Sequence, residues 1–265
     1  MFQQTLVNVV RRSPHLFATT PEEASRSSQS TDWTGLPVIF DEVFTGLYRL
    51  GRFTASSFVD VHPDISVHAK LLTGGLLPLC ATVASESIFK AFEGDEKTDA
   101  LLHGHSYTAH AVGCQVALES VRELRRMDER GDWDWAKAAG GWASALPGQS
   151  EISAPGSDAE TDPGVWSVWE RNFVLWVSRQ TAAVDGVWAL GSVLAIHMKD
   201  SDGGGYKSDA ARRVQAALYR GSGHGAGRWN VHSRVLGNVL YVLSSQKTSR
   251  EGVDWIQQQL QLALG

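Results

Sequence analysis

Charged side chains follow two short apolar runs in the first part of the chain. Residues 36–40, LPVIF, are followed at once by Asp41, and residues 64–67, DISV, are followed by Lys70 and then by a glycine pair. Apolar runs of this length that end near a glycine turn are typical of buried strands. We therefore predict two neighbouring strands that deliver a carboxylate and an amine to one edge of a sheet.

A carboxylate beside a lysine amine is the arrangement that a pyridoxal phosphate site requires. The lysine binds the aldehyde of the cofactor as a Schiff base, and the acid keeps the pyridine nitrogen protonated so that the ring can accept electrons. A surface lysine at the end of a strand, with an unrelated aspartate nearby, would give the same spacing. The spacing of Asp41 and Lys70 leaves both interpretations open.

The composition is that of an ordinary globular protein, with 43% hydrophobic and 20% charged residues. A formal net charge of −5 argues against nucleic acid or an anionic membrane as the main partner. No apolar run approaches the roughly 20 residues that span a bilayer. The two cysteines, Cys80 and Cys114, form no disulfide pattern, so we expect a reducing compartment.

Strand and helix patterns alternate along the chain, which predicts an α/β protein. A stretch rich in Ser, Gly, Pro and acids predicts a linker over 131–164, between a first domain, 1–130, and a second domain, 165–265. In the first domain we predict helices over 1–12, 86–92 and 107–127. In the second domain we predict a helix over 165–183, a strand over 187–198, a helix over 206–219, strands near 229–234 and 239–243, and a helix over 249–264.

Two further clusters contain residue types that occur at binding sites. His103, His105 and His110, with Cys114 nearby, have a spacing that can supply zinc ligands. No second cluster of acids or cysteines accompanies them, and the predicted helix begins within the group, so we expect no metal site. The glycines at 203–205 match neither the dinucleotide nor the P-loop motif, and we predict a turn there.

Three segments resemble one enzyme family. DEVFTGLYRLG, at 41–51, resembles the D-E-x-x-T-G-x-x-R-x-G signature of the class III pyridoxal-phosphate aminotransferases. AKLLTGGLLPL, at 69–79, resembles the Schiff-base segment of that family, and LLHGHSYTAHAVGCQVALES, at 101–120, resembles its H-G-x-T-[FY] segment. Within this class the likeness is to the diaminopelargonic acid aminotransferases of biotin synthesis, in the eukaryotic form that is fused behind dethiobiotin synthetase.

The resemblance implies a fold-type I pyridoxal-phosphate-dependent transferase, of which this chain covers the C-terminal part. Residues 1–130 would be the C-terminal portion of the large-domain sheet that binds the cofactor, and residues 165–265 would be the smaller C-terminal α/β domain. The segments that grip the cofactor phosphate and stack on the pyridine ring lie earlier in the family and would not be included.

The resemblance also implies roles for four residues. Lys70 would bind the cofactor covalently and move protons during catalysis, and Asp41 would pair with the pyridinium nitrogen. Ser106 stands where the family usually has a threonine that reaches the cofactor phosphate of the other subunit. Arg234, within VHSRVLGNVLYV, stands where diaminopelargonic acid aminotransferases present an arginine to the substrate carboxylate.

The implied reaction is the transamination of 7-keto-8-aminopelargonate to 7,8-diaminopelargonate, with S-adenosylmethionine as the amino donor. By resemblance the enzyme would be a homodimer that acts on these small molecules in mitochondria, with the cytoplasm as the alternative. Two other interpretations stay open. One is a truncated, non-catalytic remnant that keeps the fold and the dimer contacts, and the other is a class III transaminase that acts on another amine.

Overall fold

Two compact units make up the chain. A computed structural model describes residues 2–13, 16, 36–100, 106–139, 164–201, 203–221 and 230–265. The first unit comprises Met1–Leu47 and Arg52–Arg125, and the second comprises Tyr48–Gly51 and Arg126–Gly265. None of the helices in the described ranges combines the length and the hydropathy that a membrane crossing requires.

The first unit contains a three-stranded sheet with the strand order β1-β2-β3. Its strands are β1 (Ile39–Asp41), β2 (Ile65–His68) and β3 (Ala81–Ala84), and its helices are α1 (Phe2–Arg12), α2 (Glu86–Lys90) and α3 (Ala111–Glu129), whose last residues are counted with the second unit. β1 is parallel to β2, and β3 is antiparallel to it. The prediction that the first two strands are neighbours is confirmed, whereas β3, with the small residues ATVA, gives no strand signal in the sequence.

β1 is more exposed than the buried strand that its sequence predicts. Ile39 is 59% exposed, and Asp41 is also exposed. Within the described residues β1 pairs on one side alone, with β2, so no neighbouring strand covers its outer edge. The apolar sequence therefore predicts the strand correctly but not its burial.

The second unit is built on a four-stranded antiparallel sheet with the order β4-β5-β7-β6. Its strands are β4 (Val184–Leu190), β5 (Val193–Met198), β6 (Arg234–Leu236) and β7 (Val239–Leu243), and its helices are α4 (Asp134–Ala139), α5 (Arg171–Ser178), α6 (Arg212–Arg220) and α7 (Arg250–Leu264). Alternate residues of β5 and β7 are buried, so one face of the sheet forms a core. That core also includes buried residues of α6 and α7, and its members are Leu194, Ile196, Leu240, Val242, Val214, Leu218, Val253 and Leu260.

The region around Gly191 differs from the sequence-based prediction. The single strand predicted over 187–198 is a hairpin, because Gly191 adopts a left-handed φ of +54° and reverses the chain between β4 and β5. The helix predicted over 165–183 is confined to α5. The backbone before α5 forms hydrogen bonds with the hairpin and not the hydrogen bonds of a helix. Gly191 N–H donates to the Trp166 carbonyl at 2.9 Å, and Val168 N–H donates to the Gly191 carbonyl at 3.0 Å.

The first residues of the predicted linker, 131–139, are packed, contrary to what their composition indicates. Trp133 is 4% exposed, its ring lies 5.1 Å from that of Tyr48 and 6.1 Å from that of Trp166, and its Nε1 donates to the Gln246 carbonyl at 2.9 Å. Residues 131–139 are therefore a packed part of the second unit, because Trp133 and Ala136 of this polar stretch are buried. Residues 140–163 lie outside the described ranges.

The short segment Tyr48–Gly51 is held within the second unit by its backbone carbonyls. The Arg49 carbonyl accepts hydrogen bonds from the backbone N–H and the hydroxyl of Ser192, both at 3.0 Å, and the Tyr48 carbonyl accepts one from Gln246 Nε2 at 2.9 Å. These hydrogen bonds place the end of the DEVFTGLYRLG segment in the second unit, while its beginning belongs to the first. Burial lowers the pKa of the Arg49 guanidinium from its ordinary value.

Candidate functional site

The structure brings Asp41 and Lys70 to the same edge of the first sheet. Asp41 is the last residue of β1 and lies opposite Val67 of β2, and Lys70 follows the end of β2 by two residues. Because the two strands are parallel, both side chains are delivered at the carboxyl ends of neighbouring strands, where ligands bind in open α/β sheets. This is the juxtaposition on which the cofactor hypothesis depends.

The Asp41 carboxylate is oriented by its own turn. Its Oδ1 accepts a hydrogen bond from the Val43 backbone N–H at 3.0 Å. Its Oδ2 makes no hydrogen bond or ion pair with any other described residue, and the side chain is exposed. An oriented carboxylate with one oxygen available suits the protonated nitrogen of a pyridine ring, to which it would be a charged hydrogen-bond acceptor.

Lys70 occupies a constrained position in the loop after β2. Its φ is +53°, in the left-handed region that residues with a Cβ rarely adopt, and it begins a 3-10 turn over Lys70–Leu72. The next carbonyl, that of Leu71, accepts a hydrogen bond from the Ser120 hydroxyl of α3 at 2.7 Å. The Lys70 side chain is exposed, and its Nζ lies 5.6 Å from the centre of the Phe44 ring. The loop thus holds the backbone of Lys70 while its amine stays accessible.

The left-handed backbone of Lys70 leads to a stability prediction. Lys70→Gly should be more stable than Lys70→Ala by about 1 kcal/mol, because glycine adopts a positive φ without a steric penalty. Both variants lack the amine, so the comparison isolates the backbone. Chemical denaturation of the two purified variants measures the difference, and equal unfolding free energies would contradict the strained conformation of this residue.

Glu42 is a site residue that sequence reasoning did not single out. It is 3% exposed, and its carboxylate accepts the backbone N–H of Ala55 at 2.9 Å and that of Ser56 at 3.0 Å. Its own N–H donates to the Val67 carbonyl of β2 at 3.0 Å. Glu42 therefore joins the end of β1 both to β2 and to the 55–56 turn, directly beside Asp41. The feature of the sequence that indicates Glu42 is its position as the glutamate of the D-E-x-x-T-G signature.

Ser106 lies in an exposed turn before α3. The helix begins at Ala111 and not at residue 107, because Ala109 has a φ of +55° and breaks the helical run. His110 takes the capping position, since its Nδ1 accepts the Gly113 N–H at 3.1 Å. Ser106 is therefore separated from the first turn of the helix, and its proposed phosphate contact would depend on its hydroxyl alone.

The histidine cluster considered for zinc is described only in part. His103 and His105 lie outside the described residues, and His110 is engaged at the start of α3. Within the described ranges, no group of three or more His, Cys, Asp or Glu side chains is arranged to hold a metal ion. Cys114 and Cys80 are free, exposed thiols.

Arg234 lies in the second unit, apart in sequence from the other candidates. It is the first residue of β6, an edge strand, where it pairs with Tyr241 of β7. Its side chain is exposed and makes no ion pair with another described residue. A guanidinium in this state can bind a carboxylate through two parallel hydrogen bonds.

A comparison with protein-family models places this site in a known family. The class III aminotransferase model matches residues 20–135, a range that contains Asp41, Glu42, Lys70 and Ser106. Residues 20–135 belong to the class III aminotransferases. The matched range ends within the second unit, so Arg234 lies outside it.

Curated relatives extend the likeness over the whole length of this chain. It is 50% identical over 264 residues to the bifunctional dethiobiotin synthetase/adenosylmethionine-8-amino-7-oxononanoate aminotransferase of Emericella nidulans, covering 100% of this chain and 31% of the relative. It is 35% identical over 217 residues to the bifunctional dethiobiotin synthetase/7,8-diamino-pelargonic acid aminotransferase of Arabidopsis thaliana, named as mitochondrial, covering 82% of this chain and 22% of that protein.

Solved structures confirm the fold-type I architecture of this chain. The adenosylmethionine-8-amino-7-oxononanoate aminotransferase of Methanocaldococcus jannaschii matches with a TM-score of 0.60 at 22% identity, over 85% of this chain and 45% of that one. An amine transaminase from an uncultivated Pseudomonas species, solved with bound pyridoxal phosphate, matches with a TM-score of 0.60 over 92% of this chain and 47% of that one. The chain thus spans less than half of these structures and about a third of the first relative.

Proposed function

We propose that this chain is part of an aminotransferase that uses pyridoxal phosphate to convert 7-keto-8-aminopelargonate to 7,8-diaminopelargonate. The observation that supports the proposal most directly is the placement of Asp41 and Lys70 at the same ends of two parallel strands. The named activity of the fungal relative, 50% identical over the whole chain, supports the choice of reaction.

Each candidate residue has a chemical task in this reaction. Pyridoxal phosphate, when bound, supplies a ring that accepts electrons from the carbon bearing the amine. The Lys70 amine would hold the cofactor through its aldehyde, and as a free amine it would carry a proton between carbon atoms. The free Oδ2 of Asp41 would accept a hydrogen bond from the ring nitrogen and would stabilise its protonated form.

Two further residues would bind anionic groups. Ser106 is exposed before α3, and its hydroxyl would donate a hydrogen bond to the cofactor phosphate of a second subunit. The Arg234 guanidinium would bind the carboxylate of the keto acid bidentately. The amino donor proposed here is S-adenosylmethionine, as the names of the fungal and methanogen relatives indicate for those proteins.

The assembly and compartment are also part of the proposal. A homodimer is proposed because the role of Ser106 requires a second subunit. Mitochondria are proposed because the Arabidopsis and rice relatives carry that location in their names. Size-exclusion chromatography with light scattering and localisation of a fluorescent fusion measure these two properties separately.

A non-catalytic role for the chain is the second candidate. The observation that favours it is length, because the chain spans 31% of the fungal relative and 45% of the methanogen structure. In that case the chain keeps the fold of the site but does not retain the cofactor. The experiment on Lys70 distinguishes the two candidates.

The test is to reduce the purified chain with borohydride in the presence of pyridoxal phosphate. Before reduction we expect a yellow absorption band that persists through gel filtration, and after reduction a cofactor label on the peptide that contains Lys70. Lys70→Ala should lose both, because Lys70 is the residue whose amine follows the ends of β1 and β2. Lys90→Ala is the matched control, since Lys90 is 62% exposed on α2 of the same unit and should leave the label unchanged.

Three results would contradict the proposal. They are a label spread evenly over surface lysines, a band that Lys70→Ala retains, and a wild-type chain without any stable band. The last of these favours the non-catalytic role. If the label is specific, transamination of the keto acid with S-adenosylmethionine is the assay that follows.

A further inference from the structure

A polar cavity of about 610 Å³ in the second unit brings Arg234 together with two other cationic residues. Lys207 and Arg212 line the same cavity. The acid among its described lining residues is Asp209, which forms an ion pair with Arg212. Among the described lining residues, three cations and one carboxylate give two more positive than negative charges, in a chain whose formal net charge is −5. This charge suits an anionic ligand.

The glycines at 203–205 have a structural role in this cavity. Their φ values are +93°, +71° and +91°, which allow the loop to fold onto the turn between β6 and β7. Asn238 of that turn accepts the Gly205 N–H at 3.0 Å through Oδ1 and donates to the Met198 carbonyl at 3.1 Å through Nδ2. A Cβ on Gly237 would collide with the Gly205 carbonyl, so the two segments are in close contact.

This contact determines where Lys207 lies. Asn238 holds the glycine loop, and this loop leads directly into Tyr206 and Lys207. Asn238 itself belongs to the turn that follows β6, the strand that begins with Arg234. Four residues of the 206–209 segment and four of the 234–237 segment accordingly line one cavity. The glycine triplet, which the sequence predicts to be a turn without chemistry, thus positions a cation beside β6.

We propose that Lys207 and Arg212 act together with Arg234 in binding the carboxylate end of a linear carboxylic acid substrate in this cavity. The inference rests on the proposed function only for the carboxylate-binding role of Arg234. Arg234 forms the two directional hydrogen bonds, and Lys207 and Arg212 increase the attraction of the negative charge. These two residues would therefore favour keto acids over uncharged amines of the same length.

The experiment measures the binding of octanoate to the full chain by NMR titration, with octanamide as the uncharged probe. We expect octanoate to bind more tightly than octanamide, and Arg234→Gln to raise the octanoate Kd about tenfold through the loss of charge-assisted hydrogen bonds. Lys207→Gln and Arg212→Gln should each raise it about threefold, as exposed charges do, and added salt should reduce this effect. Arg213→Gln is the matched control, because Arg213 is exposed on the same helix but does not line the cavity.

Each outcome has a separate meaning. If Arg234→Gln weakens binding but Lys207→Gln and Arg212→Gln behave like Arg213→Gln, the inference is wrong and the role of Arg234 stands. If octanoate does not bind the wild-type chain, or if octanamide binds equally well, the cavity is not a carboxylate site. Binding of octanoate without cofactor labelling of Lys70 would support this inference and contradict the proposed function, because the titration needs no cofactor.

Discussion

Glu42→Ala is expected to lower the free energy of unfolding by about 3 kcal/mol. The substitution leaves the backbone N–H groups of Ala55 and Ser56 without their acceptor, and each buried N–H that loses its partner costs about 1–3 kcal/mol. The charged acceptor makes these bonds stronger than those between neutral groups. Glu42→Gln should cost about half as much, because its amide oxygen still accepts one of the two hydrogen bonds. Urea denaturation of the full chain measures both values.

The matched control for Glu42 is Glu86→Ala. Glu86 lies on α2 of the same unit with a 75% exposed side chain, and its ion pair with Lys90 is also exposed. Its removal should change the unfolding free energy by less than about 0.5 kcal/mol. Similar losses for Glu42→Ala and Glu86→Ala would show that the buried carboxylate does not hold the end of β1. In that case the orientation of Asp41 would need another explanation.

Gly191→Ala is expected to destabilise the chain by about 4 kcal/mol. Two effects add at this position. A φ of +54° costs a residue with a Cβ about 1–2 kcal/mol, and the new methyl group would collide with backbone atoms of Arg49, Leu50 and Gly51. Backbone atoms cannot rotate away as side chains do, so the overpacking costs about 2 kcal/mol or more. The segment Tyr48–Gly51 would have to move away from the hairpin.

Gly203→Ala separates the two effects. Gly203 also has a positive φ, +93°, but a Cβ there would meet no atom within 4 Å. It should therefore cost only the conformational part, about 1–2 kcal/mol. Thermal or urea unfolding of both variants measures the difference. Equal losses would mean that the approach of Tyr48–Gly51 to Gly191 is looser than the structure indicates.

The sequence by itself predicted the two neighbouring strands and the two residues at their ends, whereas their parallel direction came from the structure. Short apolar runs that end in a charged residue and a glycine turn are local signals, and they do not depend on distant contacts. The resemblance to the class III aminotransferases rested on the same continuous segments, and residues 20–135 do belong to that family. The helix over 249–264 was also predicted closely, because Ser249 caps it through a local hydrogen bond to the Gly252 N–H.

Other features depended on partners that are distant in sequence. The burial of Glu42 depends on the N–H groups of Ala55 and Ser56, which no periodicity connects to it. The true length of α5 depends on Gly191, whose backbone binds the residues before the helix. The residues next to Trp133 in the sequence are polar, which predicts a linker. Only the packing of its ring against Tyr48 and Trp166 shows that Trp133 belongs to a folded unit.

The cationic cavity shows the same division between sequence and structure. The sequence determined that Arg234 resembles a carboxylate-binding arginine and that the glycines at 203–205 form a turn. Only the tertiary structure placed Lys207 and Arg212 around the same cavity, because the contact between Gly205 and Gly237 joins segments that are about thirty residues apart. Local sequence specifies strands, turns and caps through short-range sterics and hydrogen bonds. The burial and grouping of charged side chains depend on long-range packing, which a single sequence does not display.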